Sequence, residues 1–206
     1  MSYSFLILYH DNNNTAMAVM ATRLQSLAFL ALSCSSLVYG QKAGSHESHP
    51  SLTTQHCTTA GGCTTIRSSV VLDSGTHAIT DVKSGASCLT SGGSLNTTIC
   101  PNAQTCAKNC AIQGIQDYAS YGVTTSGDAL NLKMYLDGKS VSPRVYLLDE
   151  SGKNYETMQL NGQEFTFDVD VSNLPCGMNG ALYFSQMDAD GGRSRLNPAG
   201  ATYGVS

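Results

Sequence analysis

The stretch Asp188-Ala189-Asp190-Gly191-Gly192 begins like a calcium loop, with two carboxylates separated by one residue. A helix-loop-helix calcium site takes oxygen ligands at positions 1, 3 and 5, Gly at 6 and Glu at 12. Counted from Asp188, positions 5, 6 and 12 hold Gly192, Arg193 and Ala199, so the pattern fails and an Asp-Gly-Gly turn accounts for the residues. His46, His49, His56 and Cys57 carry atoms suited to zinc or copper, but their spacing matches no closed zinc site, and Cys57 is the better disulfide partner. Asp168 and Asp170 would face the same way on one strand, and paired carboxylates ~5–5.5 Å apart are the machinery of retaining glycosidases. The flanking Phe-Thr-Phe-Asp-Val-Asp-Val alternation instead describes an amphipathic strand with a wet outer face. Neither a nucleophile-turn serine nor a phosphate-cradling glycine loop is present. No metal and no cofactor are expected.

The elements that carry these residues are short strands. Residues 129–136, 144–149, 155–160 and 164–171 are β-rich runs separated by Asp-Gly, Ser-Gly and Asn-Gly turn signals. Residues 68–74 (SSVVLDS) and Ala181-Leu182-Tyr183-Phe184 read the same way. A single short helix is expected over 106–114, placing Cys106 and Cys110 on one face for two separate disulfides. Residues 41–55 read as a polar, extended, solvated leader. Short strands at close intervals without a long amphipathic helix predict a two-sheet β-sandwich. A net charge of −4, with Lys and Arg unclustered, argues against a nucleic-acid or membrane-surface partner.

Residues 21–40 contain one basic residue, Arg23, an apolar run from Leu27 to Leu32, and Val38 and Gly40 at −3 and −1 before Gln41. This is the pattern of a secretory signal peptide over 17–40, with cleavage after Gly40 and an extracellular product. The apolar run is shorter than the ~20 residues a membrane span needs. Met17 or Met20 is the natural start, so residues 1–16 read as a spurious upstream extension outside the fold. Cleavage removes Cys34 and leaves seven cysteines, six of them between 57 and 110. Their density in an oxidising compartment reads as a disulfide framework, but six cysteines allow 15 pairings. Cys176 stands 66 residues beyond Cys110 with no obvious partner. Asn96-Thr97-Thr98, in a Gly/Ser/Thr-rich loop, is an N-glycosylation acceptor.

Several stretches together resemble glycoside hydrolase family 7, the fungal cellulases. They are HPSLTTQHCTTAGGC (49–63), NTTICPNAQTCAKNC (96–110), YGVTTSGDALNL (121–132), SPRVYLLD (142–149), NGQEFTFDVDVSNLPCGMNGALYFSQMDADGG (161–192) and AGATYG (199–204). The resemblance runs over about 41–204 and implies an all-β, concanavalin-like β-jelly-roll sandwich of two antiparallel sheets, here the amino-terminal part over 41–206. It also implies the bridges Cys57–Cys63, Cys88–Cys110 and Cys100–Cys106, with Cys176 paired to a cysteine farther downstream.

Functionally, the resemblance implies a monomeric endo-β-1,4-glucanase acting on cellulose with retention. A cellobiohydrolase of the family, or a non-catalytic glucan-binding fragment, is the alternative. SPRVYLLD and the compact stretch from Gly192 to Gly204 look more like the endoglucanases. Asn179 and Tyr183 match sugar-contacting positions, and Arg144 is a third candidate. Spacing along the strand puts Asn179, Ala181, Tyr183 and Ser185 on one side, with Leu182 and Phe184 toward the core. The family's Glu-x-Asp-x-x-Glu motif is not among these residues: Glu47, Glu150, Glu156 and Glu164 are the only glutamates, and none begins it. The chain by itself is therefore expected to lack hydrolytic activity.

Overall fold

The computed structural model describes residues 2–9, 42–174, 176 and 178–205. The segment read as a signal peptide, 17–40, lies outside the described residues.

In chain order the strands are β1 (Ser2–Tyr9), β2 (Lys42–Ala43), β3 (Ser51–Cys57), β4 (Cys63–Leu72) and β5 (Ile79–Asp81). Helix α1 (Ala103–Asn109) comes next, followed by β6 (Cys110–Ile112), β7 (Val123–Ser126), β8 (Ala129–Leu132), β9 (Tyr135–Leu136) and β10 (Lys139–Ser140). The last are β11 (Arg144–Leu148), β12 (Thr157–Met158) and β13 (Asn179–Gln186). Short 3₁₀ turns lie at Ser74–Thr76, Tyr118–Tyr121 and Gly200–Tyr203.

The largest sheet has six strands. Strand β4 is interior to it, pairing antiparallel with the edge strand β3 on one side and with β11 on the other. Beyond β11, strand β1 pairs parallel with β11, β12 and β13. Smaller sheets join β2, β6 and β5, the hairpin β7–β8 and the hairpin β9–β10. The expected all-β architecture holds, but the strands are not all antiparallel: β1 and the β2–β6 pair are parallel.

Both faces of β4 and β11 are apolar, and this is why they sit in the middle. Val70, Leu72, Val145 and Leu147 face one way, against Leu52, Ile115, Tyr118 and Val123. Val71, Tyr146 and Leu148 face the other, against Tyr155 and Ala201. Fully burying each such aliphatic side chain contributes about 1.5–3 kcal/mol, so these two strands anchor the described structure.

Asp137-Gly138 turns β9 into β10 with φ of 49° and 76°. Positive φ at both central residues is the tight hairpin geometry that the Asp-Gly signal predicts.

The helix is shifted from its expected place. It begins after Asn102, whose side chain accepts a hydrogen bond from the Thr105 N–H at 2.9 Å, as a capping asparagine does. It ends at Asn109 because Cys110, Ala111 and Ile112 form the buried middle strand of the three-stranded sheet. Cys106 and Cys110 do serve two separate disulfides, although Cys110 is extended rather than helical. The three bridges are Cys57–Cys63, Cys88–Cys110 and Cys100–Cys106, the set implied by the resemblance. Cys176 is free and exposed.

Residues 164–171 form no strand. Phe167, Val169 and Val171 are exposed, so the expected buried face of that segment is uncovered. Alternation makes a strand only where a neighbouring backbone can pair with it, and none of the described strands does so. Residues 155–160 likewise reduce to β12, and 129–136 split into β8 and β9.

Candidate glucan-binding face

Arg144 opens β11, followed by an unbroken row of four buried residues, Val145 to Leu148. Across the sheet, Asp73 directly follows β4 and extends the ladder by donating its N–H to the Arg144 carbonyl at 2.9 Å. The Asp73 carboxylate then gathers the neighbouring side chains. Its Oδ2 accepts from Arg144 Nε at 3.1 Å, Arg144 Nη2 at 2.8 Å and the Tyr146 hydroxyl at 2.7 Å. Its Oδ1 accepts from the Gly75 N–H at 2.8 Å. The Arg144 side chain remains 52% exposed while Asp73 is only 13% exposed. So exposed an ion pair adds less than about 1 kcal/mol to stability. Its larger effect is geometric, because a planar guanidinium held along one side still directs N–H groups outward.

Strand β13 reaches the same surface through β1. Ser4 is in register with both Arg144 and Ala181, and Leu6 with both Tyr146 and Tyr183. Residues in lateral register share a face of a sheet, so Tyr183 lies on the Arg144 and Tyr146 side. Two inter-strand spacings place β13 about 10 Å from β11. Tyr183 is 45% exposed there, an amphipathic ring open to solvent. Asn179 begins the same strand, at an even spacing from Tyr183. The structure thus brings the Arg144 and Tyr183 positions onto one face.

The opposite side of β13 departs from expectation. Leu182 is half-buried and Phe184 is 39% exposed rather than in the core. Phe184 meets Phe165 edge-on, with ring centroids 5.1 Å apart, and Phe165 also contacts Phe167. Among the described residues, this small aromatic cluster is the cover that the 164–171 segment provides. Asp170, on that segment, accepts from the Ser172 side chain and backbone, which hold its carboxyl below the usual range.

Downstream of β13, Asp188 to Gly192 form a turn. Gly191 N–H donates to Asp188 O, and the Asp190 carboxylate accepts from Arg193 N–H at 3.2 Å. The turn is fixed against the Gly200–Tyr203 segment by the Ala201 N–H to Asp190 O bond at 2.9 Å.

Sequence reasoning missed a buried polar group behind this face. The 41–55 leader is not solvated throughout: Glu47 is 4% exposed and Leu52 is buried. Glu47 Oε2 accepts from His77 Nε2 at 3.1 Å and from the Ile115 N–H at 2.7 Å, and Oε1 accepts from the Tyr118 hydroxyl. Burial first, then the charge of Glu47, pushes the Tyr118 phenol well above its ordinary value. His49 Nε2 lies 2.9 Å from the Thr202 carbonyl. No local signal marks Glu47 as buried, since its partners lie 30 to 71 residues away.

The other glutamates are spread out. Glu150 accepts from the Arg67 N–H at 3.2 Å, and Glu164 accepts from Thr166. Glu156 is half-buried, and desolvation, with Asp149 and Glu150 nearby, raises its carboxyl above the usual range.

The glycosyl hydrolase family 7 model matches residues 41–206. The probable endo-beta-1,4-glucanase celB of Aspergillus clavatus is 55% identical over 187 residues, covering 88% of this chain and 44% of that protein. The native Humicola insolens endocellulase EGI superposes with a TM-score of 0.75 at 48% identity, covering 81% of this chain and 43% of that one. A family 7 cellobiohydrolase from Daphnia pulex gives 0.73 at 40% identity, covering 81% and 38%. The chain thus spans less than half the length of the relatives it matches. A match over the whole segment from Gln41 onward, together with neighbours of the same fold, shows that the chain belongs to glycosyl hydrolase family 7.

Proposed function

We propose that this chain is the amino-terminal part of a secreted endo-β-1,4-glucanase that cleaves internal bonds of cellulose with retention. The observation that carries the reading is the family match over residues 41–206, in a chain 55% identical to a probable endo-beta-1,4-glucanase. A β-1,4-glucan offers flat apolar ring faces and a fringe of hydroxyls. Tyr183 suits the former, and Arg144, with Asn179, the latter. Retaining hydrolysis needs one carboxylate as nucleophile and a second as acid and then base. The Glu-x-Asp-x-x-Glu arrangement is absent from these 206 residues, so the chain alone binds glucan without cutting it. Titration with cellohexaose tests this: saturable binding, weakened by Arg144→Ala and by Tyr183→Ala, is expected. Binding indifferent to both substitutions would sink the assignment of the face. Robust sugar release from a soluble cellulose derivative by the 206-residue chain would overturn the claim of silence.

Secretion belongs to the same proposal, with residues 17–40 as leader and translation from Met17 or Met20. The exported product then lacks Ser2–Tyr9, so β11 and β13 must present Arg144 and Tyr183 to glucan without β1 between them. Amino-terminal sequencing of the exported protein decides the point: a first residue other than Gln41, with 2–9 retained, refutes the leader.

A further inference from the structure

Behind the proposed glucan face, a continuous path of hydrogen bonds joins the buried Glu47 to the exposed Arg144. Three donors converge on the Glu47 carboxylate: the Ile115 N–H, the Tyr118 hydroxyl and His77 Nε2. The other ring nitrogen of His77, Nδ1, lies 3.2 Å from the Asp73 carbonyl oxygen. Both imidazole nitrogens therefore face oxygens, a carboxylate on one side and a peptide carbonyl on the other. The pair is dry, with side-chain exposures of 0% for His77 and 1% for Glu47. The Tyr203 ring lies against His77, centroids 6.2 Å apart, and closes it from another side.

Asp73 is the junction. Its carbonyl accepts from His77 and from the Thr76 N–H at 2.9 Å, and its own N–H is fixed to Arg144 O. The preceding residue is held too, since Leu72 N–H donates to the same Tyr118 hydroxyl that reaches Glu47. With its backbone so fixed on both sides, and its carboxylate accepting from the Gly75 N–H and the Tyr146 hydroxyl, Asp73 is held where it clamps Arg144 by Nε and Nη2.

We propose that Glu47 and His77 are positioning residues for glucan binding: their buried pair fixes Asp73, and Asp73 sets the Arg144 guanidinium toward the sugar. The inference rests on the reading that Arg144 contacts glucan.

The test uses the 206-residue chain, with His77→Phe removing both donors at similar ring volume and Glu47→Gln as the milder, size-conserving variant. The first readout is the Nε–H resonance of Arg144, identified by its loss in Arg144→Lys. It should exchange slowly with water in the parent and about tenfold faster in both variants, since the Nε–H to Asp73 bond is no longer held. The second is cellohexaose affinity, measured in a double-mutant cycle with Arg144→Ala. Each variant should weaken binding by about five- to tenfold when Arg144 is present, the range for misaligning one charge-assisted contact. In the Arg144→Ala background the same substitutions should change it less than about twofold, because the lost contact is already gone. Additive losses, or an Arg144 resonance indifferent to both variants, overturn the inference. If Arg144→Ala alone leaves affinity unchanged, the glucan reading of Arg144 falls and the proposed role in binding falls with it. The resonance separately reports whether the pair holds the guanidinium. Should His77→Phe fail to fold, Glu47→Gln decides on the same two readouts.

Discussion

Removing the Cys88–Cys110 bridge should destabilise this chain more than removing Cys57–Cys63, by a margin that the structure sets. Cys88 and Cys110 are 22 positions apart, whereas Cys57 and Cys63 are separated by only 6. Treating each bridge as a constraint on the unfolded chain, loop-closure entropy gives about 3.4 kcal/mol for the longer loop and about 2.2 kcal/mol for the shorter. Packing acts in the same direction. Cys88 and Cys110 are buried with Ile79 and Ile99 in their own small core, while Cys57 and Cys63 are exposed at the end of the β3–β4 hairpin. Alanine pairs at 88/110 leave a cavity that pairs at 57/63 do not, so the entropic margin of about 1.2 kcal/mol is a floor. Urea unfolding of the two double variants, with the remaining bridges intact, measures both losses. Equal losses, or a larger one at 57/63, would refute the reasoning.

Other outcomes follow from the same contacts. Tyr118→Phe removes the hydroxyl between Leu72 N–H and Glu47, and leaving these buried groups short of a partner should cost about 1–3 kcal/mol in urea unfolding. Glu156 is raised by burial first and by Asp149 and Glu150 next, so its contribution is present at low pH and lost as pH rises through its folded value. Glu156→Gln should therefore raise the urea midpoint at about pH 7 and leave it unchanged near about pH 4. Asp149 has the opposite sign. Burial raises its carboxyl, but hydrogen bonds from Ser151 and Asn154 outweigh that and hold it low, so its contribution is lost as pH falls. Asp149→Asn should accordingly flatten the acid limb of the stability curve, read as the change in midpoint between about pH 5 and pH 3. Asn96, half-buried with its side chain accepting from the Thr98 N–H, is proposed to carry a glycan. Asn96→Gln should then abolish an endoglycosidase-sensitive mobility shift in secreted material.

Local chemistry was legible in the sequence, and partnership was not. The turn at Asp137-Gly138 and the β-branched row Val70-Val71 act over a few residues and could be read directly. The helix expected over 106–114 starts instead after Asn102, whose side chain caps it, so its existence was legible and its boundaries were not. Residues 164–171 show the limit of periodicity, because alternation states which side chains share a face but not whether a neighbouring strand exists. Glu47 shows the limit of composition: in a polar leader, one carboxylate is dry because His77, Ile115 and Tyr118 meet it there. For the candidate face, the resemblance supplied Arg144 and Tyr183, while Asp73, which orients the arginine, emerged only from the fold.

The place of β4 between β3 and β11 has a consequence for synthesis. Its first partner, β3, precedes it in the chain, so that hairpin can close as soon as Leu72 leaves the ribosome. Its second partner, β11, carries Tyr146, which bonds Asp73 from 73 residues farther along. At translation rates of about 5–20 residues per second, the growing chain carries the Val70-Val71-Leu72 edge open for about 4–15 s. Throughout that interval a nascent two-stranded ribbon with an apolar edge stands ready to be met by a chaperone or by another copy of itself.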